Sequence, residues 1–168
     1  MIKAYIKFWK NWLTFDGKSS RSDYWWVFLA NSIIRAIILL GSVIALYSAV
    51  TSKIDITNPD LVNKVTDLTH QVLLHPTAAM WTMTIIGAAF SLLIAVPVTT
   101  LTARRLRDAG FSGNFAYPLL VIYLAEAVMQ FVSLPALNFL SGIFVAYSFA
   151  ILVLCMRKST ERKEIERF

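Results

Sequence analysis

Four apolar stretches, at about residues 27–50, 78–101, 115–134 and 137–156, constrain this chain more than any other feature. Each runs for about 20 to 24 residues, enough to cross a hydrocarbon layer of about 30 Å at about 1.5 Å per residue. No water is available in that layer to bond a bare backbone, so each stretch is expected to be a helix. Only 15% of the 168 residues are charged and 57% are hydrophobic, against about a quarter charged in a soluble domain. The charge is missing from the four stretches, and one soluble core could not hide them all. The expected fold is an all-α membrane protein: a four-transmembrane-helix bundle forming a single integral membrane domain over residues 1–168.

The formal net charge is +6. Its distribution argues for topology and against nucleic acid as a partner. Lys3, Lys7, Lys10, Lys18 and Arg21 precede the first stretch. Arg104, Arg105 and Arg107 lie between the second and third, and Arg157, Lys158, Arg162, Lys163 and Arg167 follow the fourth. The segment between the first two stretches has only Lys53 and Lys64 against Asp55, Asp60 and Asp67, and the turn between the last two has no charge. Positive-inside logic places residues 1–26, the arginine segment and residues 157–168 in the cytoplasm. The single cysteine, Cys155, excludes an internal disulfide and any multi-cysteine metal site. The first stretch is too long, and too far from the start of the chain, for a signal peptide.

Shorter patterns complete the layout. Tyr5, Phe8, Trp9, Trp12 and Leu13 recur at helical spacing with Lys3, Lys7 and Lys10 on other faces, which predicts an N-terminal interfacial helix; a plain aromatic belt is the alternative. Leu61, Val65, Leu68 and Val72 predict a short extracytoplasmic amphipathic helix starting near Asn58-Pro59 and ending before Pro76. His70 and His75, beside Asp67, are too poor a set for a metal site. Gly87, Ser91 and Ala95, and likewise Gly142, Ala146 and Ala150, form small-residue stripes that let helices approach closely in lipid. Pro97 is expected to bend the second span.

Two charges interrupt the apolar stretches. Arg35 lies about nine residues into the first, roughly 14 Å deep, and Glu126 about eleven residues into the third, roughly 16 Å deep. A lone charge at such depth costs at least about 2.5 to 3.5 kcal/mol. Asn31, Arg35 and Ser42 share one helix side, as do Tyr123, Glu126, Gln130 and Ser133. The expectation is an intramembrane Arg35–Glu126 pair, serving either as a register lock or as part of a polar path.

Two stretches expected on the cytoplasmic side carry a signature: "FDGKSSRSDYWWVF", Phe15 to Phe28, and "ARRLRDAGFSG", Ala103 to Gly113. Arg104 and Asp108 are four apart and can pair on a helix turn. Gly110 suits a left-handed helix end, and Ser112-Gly113 a turn into the third span. Gly17 is expected to break the interfacial helix. Arg21 and Asp23 are expected to meet Arg105 and Asp108 in one charge cluster. This cluster either fixes helix ends or offers Arg21, Arg104, Arg105 and Arg107 to an anionic headgroup or phosphate.

With four spans, these stretches resemble the prokaryotic membrane proteins of domain-of-unknown-function family 805. The matching positions are Phe15, Gly17, Arg21, Asp23, Tyr24 and Trp25, then Arg104, Arg105, Leu106, Asp108, Gly110, Ser112 and Gly113. Lys18 and Arg107 depart from that family's usual arginine and histidine, and Asn114-Phe115 from its usual tryptophan. The resemblance implies a plasma- or inner-membrane protein and supplies no activity.

No phosphate-binding glycine loop, zinc-helix motif or serine elbow is found, so neither an enzyme nor a cofactor is expected. The first functional reading is a non-enzymatic membrane protein whose cytoplasmic basic-aromatic face binds anionic lipid headgroups or a protein partner. The alternative is a small oligomeric transporter or channel subunit using Arg35 and Glu126. A membrane enzyme acting on a phosphorylated lipid, with Asp23 or Asp108 as base, ranks third.

Overall fold

In a computed structural model the described residues, 2–54, 61–131 and 135–159, are helical with no strand among them. The α-helices are α1 (Ile2–Lys10), α2 (Arg21–Thr51), α3 (Leu61–Leu74), α4 (Ala78–Asp108), α5 (Tyr117–Met129) and α6 (Pro135–Cys155), with a single 3₁₀ turn at Gly113–Ala116. The expected α3 start at Asn58-Pro59 falls outside the described residues, as do Ser133, Arg162, Lys163 and Arg167. Two helices, α2 and α4, are long and apolar enough to cross a membrane, and shorter apolar helices cover 113–129 and 139–155.

The chain forms two compact units, one of residues 1–32 with 88–168 and one of residues 33–87. The first is built around Phe8, Tyr24, Val27, Leu101, Leu106 and Ile122, all buried. Its α1 is held by the face that sequence spacing singles out: Ala4 and Phe8 are buried, and Tyr5 and Trp9 ring Phe8 with centroids at 5.7 and 5.2 Å. The helix stops at Lys10, short of Trp12, Leu13 and Gly17. Past that point the Trp12 carbonyl accepts a hydrogen bond from Thr100 Oγ1 at 2.8 Å, a tertiary contact that holds the chain after α1 against α4. At the start of α2, Ser20 Oγ accepts from the Asp23 backbone N–H at 3.1 Å, and the Asp23 carboxylate lies in the first turn, where the helix dipole favours a negative charge.

α4 is longer than its apolar stretch, so Arg104, Arg105 and Arg107 stand on helix and not in a loop. The helix runs unbroken through buried Pro97, whose missing N–H removes one helix bond. Thr99 returns its hydroxyl to the Ala95 carbonyl at 2.7 Å, and Thr100 Oγ1 shares its one proton between the Val96 and Trp12 carbonyls, both at 2.8 Å. The helix ends as expected at Gly110: φ is +85°, the Gly110 N–H bonds to the Arg107 carbonyl at 3.1 Å, and the Phe111 N–H bonds to the Leu106 carbonyl at 2.9 Å. This doubly bonded left-handed ending closes two otherwise orphaned carbonyls. Ser112 then caps the 3₁₀ turn through its side chain, and α5 begins with Pro118 in its first turn.

In the second unit Val65 and Leu68 pack with fully buried Val72 of α3 against Ala49 and Val50 of α2 and against Met80 of α4. The predicted apolar stripe of α3 is thus its packing face. The α3 helix ends at Leu74, before Pro76, and the Thr77 hydroxyl accepts from the Met80 N–H at 3.4 Å to open α4.

The two small-residue stripes differ. Ser91 and Ala95 of α4 are buried, whereas Gly142, Ala146 and Ala150 of α6 are exposed and a Cβ on Gly142 would meet nothing within 4 Å.

Candidate functional site

The end of α4 is organised by one side chain. Arg105 is fully buried. Its Nε donates to the Cys155 carbonyl at 2.9 Å, one terminal nitrogen to the Arg157 carbonyl, and the other to the Asp108 carboxylate. Cys155 is the last residue of α6 and Arg157 lies two beyond it, so Arg105 supplies donors to carbonyls that a helix C-terminus leaves unbonded. Its positive charge also sits where the dipole of α6 is negative. The other Asp108 oxygen accepts from the Ser159 hydroxyl at 2.9 Å, and the Arg157 guanidinium lies 5.2 Å from the centre of the Phe111 ring. One buried arginine therefore ties the ends of α4 and α6 and the residues after α6 into one knot.

Arg107 makes a second tie. It donates to the Phe15 carbonyl, stands 4.0 Å from the Asp16 carboxylate and lies over Gly113. Phe15 also meets the Tyr117 ring at 5.9 Å. Lys18 and Asp16, by contrast, are exposed. The first signature stretch is thereby fastened to the second through a backbone carbonyl, a contact that residue identities do not advertise.

Arg104 is buried. Burial pulls its guanidinium below the usual arginine range, and the charge of Asp23 opposes that pull. Burial lowers Arg105 in the same way, with Asp108 opposing and the like charge of Arg21 adding to it. Both arginines lie past the apolar stretch that ends at Leu101. Arg21, Asp23, Arg104, Arg105 and Asp108 therefore gather at one end of the first unit, but with different partners from those expected. Asp108 is gripped by Arg105, three residues before it, while the acid that Arg104 feels is Asp23. Asp23 in turn accepts from Lys7 Nζ of α1 at 2.8 Å.

As headgroup ligands the four predicted arginines are unequal. Arg105 has its donors engaged internally, Arg107 is half-buried and tied to the 15–16 backbone, Arg104 is buried, and only Arg21 is exposed. Sequence spacing could not distinguish them, because the carbonyls of Phe15, Cys155 and Arg157 look the same in any residue type. Thr100 and Ser159 also escaped sequence reasoning; the threonine pair 99–100 at the edge of an apolar run was the one available signal.

The intramembrane candidates fall in different units: Arg35 in 33–87 and Glu126 in the other, each half-buried and each with an interaction partner. Of their neighbours on the polar stripes, Ser42 and Gln130 bond within their own helices, whereas Asn31 bonds across to α1. Asn31 Oδ1 accepts from the Tyr5 hydroxyl at 3.4 Å, Ser42 donates to the Ile38 carbonyl at 3.0 Å, and Gln130 donates to the Glu126 carbonyl at 3.4 Å.

The family model described as "Protein of unknown function (DUF805)" matches residues 12–165, which include both signature stretches. No curated protein and no solved structure matches the chain.

Proposed function

We propose that this chain, which belongs to the DUF805 family, is a multi-pass integral protein of a prokaryotic plasma or inner membrane. In this reading it crosses the bilayer four times with both termini in the cytoplasm. It is not an enzyme, and it uses a cytoplasmic basic-aromatic face to bind anionic lipid headgroups or a protein partner. One observation carries the membrane part. In the most apolar 18-residue stretch of α2, only 17% of the residues are buried. A core helix of a water-soluble protein hides such a stretch. Here Ile37, Leu39, Leu40, Ile44 and Tyr47 stand outward, and lipid is the solvent that removes their cost. The apolar outer residues of α5 and α6, such as Val121, Val128, Val145 and Phe149, fit the same solvent.

The cytoplasmic face follows from the basic residues. The knot around Arg105 and the tie made by Arg107 hold the helix ends at that face, leaving Lys3, Lys10, Lys18, Arg21 and Lys158 at its surface. Positive charge in these segments retains them on the inner side.

Membrane fractionation tests the reading. The full chain, expressed in a bacterium, is expected to stay in the membrane pellet through alkaline carbonate and to leave it only in detergent. Recovery in the carbonate supernatant would refute it.

A further inference from the structure

We infer that α1 is the element that reads headgroup charge, docking on the acidic-phospholipid surface of the bilayer that holds the protein, through Lys3 and Lys10 beside Ile2 and Ile6. The inference rests on the membrane reading above and deepens it by moving the lipid contact from the signature arginines to this helix.

α1 has three lysines and no acidic residue. Its inward face is settled, since Ala4 and Phe8 are buried and Tyr5 and Trp9 pack beside them. The opposite arc carries two adjoining stripes. Ile2 and Ile6, one turn apart, are 76% and 62% exposed, and Lys3, Lys7 and Lys10 lie next to them, all exposed. Lys7 reaches back to Asp23 at 2.8 Å and helps fasten the helix, so Lys3 and Lys10 form the outward charge. Exposed Trp12 follows.

An occupant of this arc must offer hydrocarbon and negative charge side by side at a spacing of one helix radius. An acidic lipid interface does so, with acyl chains beneath phosphates. A soluble anion or a nucleic acid would satisfy the lysines and leave both isoleucines in water. An apolar protein groove would bury the lysines without partners. The orientation is also set in advance, because Phe8, the Tyr5–Asn31 bond and the Thr100–Trp12 bond hold α1 and its exit on the first unit. The signature arginines are poorly placed to compete for headgroups, since Arg105 and Arg107 are bonded to backbone carbonyls.

The test uses the full chain in nanodiscs of phosphatidylcholine alone or mixed with phosphatidylglycerol, with hydrogen exchange read at the amides of residues 2–10. Exchange is expected to slow about 30-fold in the mixed discs, the scale set by two lysines at an anionic surface, and the difference is expected to vanish in high salt. The Lys3→Gln/Lys10→Gln variant should lose the difference, while Lys53→Gln, in the other unit, should keep it. Equal exchange in both discs, or a double variant that keeps the response, would overturn the inference while leaving the membrane reading intact. Protection reproduced in phosphatidylcholine discs by inorganic phosphate would show a soluble-anion site and also overturn it. A chain that does not enter discs of either kind would overturn the membrane reading and this inference together.

Discussion

A Cβ placed on Gly113 would stand 2.8 Å from Nε of Arg107 and 3.0 Å from its Cζ, so the guanidinium lies where any side chain at position 113 would begin. That guanidinium cannot swing aside cheaply, because it also donates to the Phe15 carbonyl. Gly113 is therefore required by close approach.

Gly113→Ala should cost about 1 to 3 kcal/mol, the scale of overpacking a fitted site. Gly41→Ala is the control. Its Cβ would meet Met83 Sδ at 2.9 Å, but a thioether end can move, and the cost should stay below about 1 kcal/mol. Equilibrium unfolding in mild detergent compares the two; equal losses would contradict the tie between Arg107 and Phe15.

Arg105→Met should destabilise by about 3 to 5 kcal/mol, since it leaves the Asp108 carboxylate without its buried partner and the Cys155 and Arg157 carbonyls without donors. Arg105→Lys should rescue little, because one ammonium cannot span three acceptors that a guanidinium fork reaches. Adding Asp108→Asn to Arg105→Met should recover part of the loss. The yield of folded protein in the membrane fraction and its unfolding midpoint provide the readout.

Lys7 and Asp23 form one ion pair, yet their removal should not be equivalent. Lys7 is largely exposed, so Lys7→Gln should cost less than about 1 kcal/mol. Asp23→Asn also removes the charge that Arg104 feels in its buried position and the acid in the first turn of α2, and should cost about 1 to 3 kcal/mol. The same unfolding assay run on both variants checks the asymmetry.

Cys155 is fully buried at the end of α6, in the core of the first unit. In folded protein it should resist maleimide for as long as the knot around Arg105 holds, and should label promptly in denaturant. Arg105→Met should speed its labelling, which mass spectrometry can follow.

The parts of this fold that were legible in the sequence are local ones. The apolar stripe Val65, Leu68, Val72, the glycine at position 110 and the turn at Ser112-Gly113 each depend on neighbours a turn away, and the structure uses each as the spacing implies. The spacing of Trp12 and Leu13 extends α1 past Lys10, where the helix ends, and the Thr100 hydroxyl that meets the Trp12 carbonyl is 88 positions distant. The arginines are alike as headgroup ligands in the sequence for the same reason. Arg104 and Arg105 are adjacent in sequence but differ in surroundings: the charge of Asp23 acts on Arg104, while Arg105 bonds at the end of α6 to two carbonyls that no residue type reveals.

Cysteine mapping in intact cells tests the central claim most directly. With buried Cys155 as a silent background, single cysteines would be added at exposed positions: Thr14→Cys, Asn114→Cys and Lys64→Cys. A membrane-impermeant maleimide applied from outside is predicted to label Lys64→Cys in intact cells and the other two only after permeabilisation. Labelling of Thr14→Cys or Asn114→Cys in intact cells, or protection of Lys64→Cys until the cells are opened, would contradict the account.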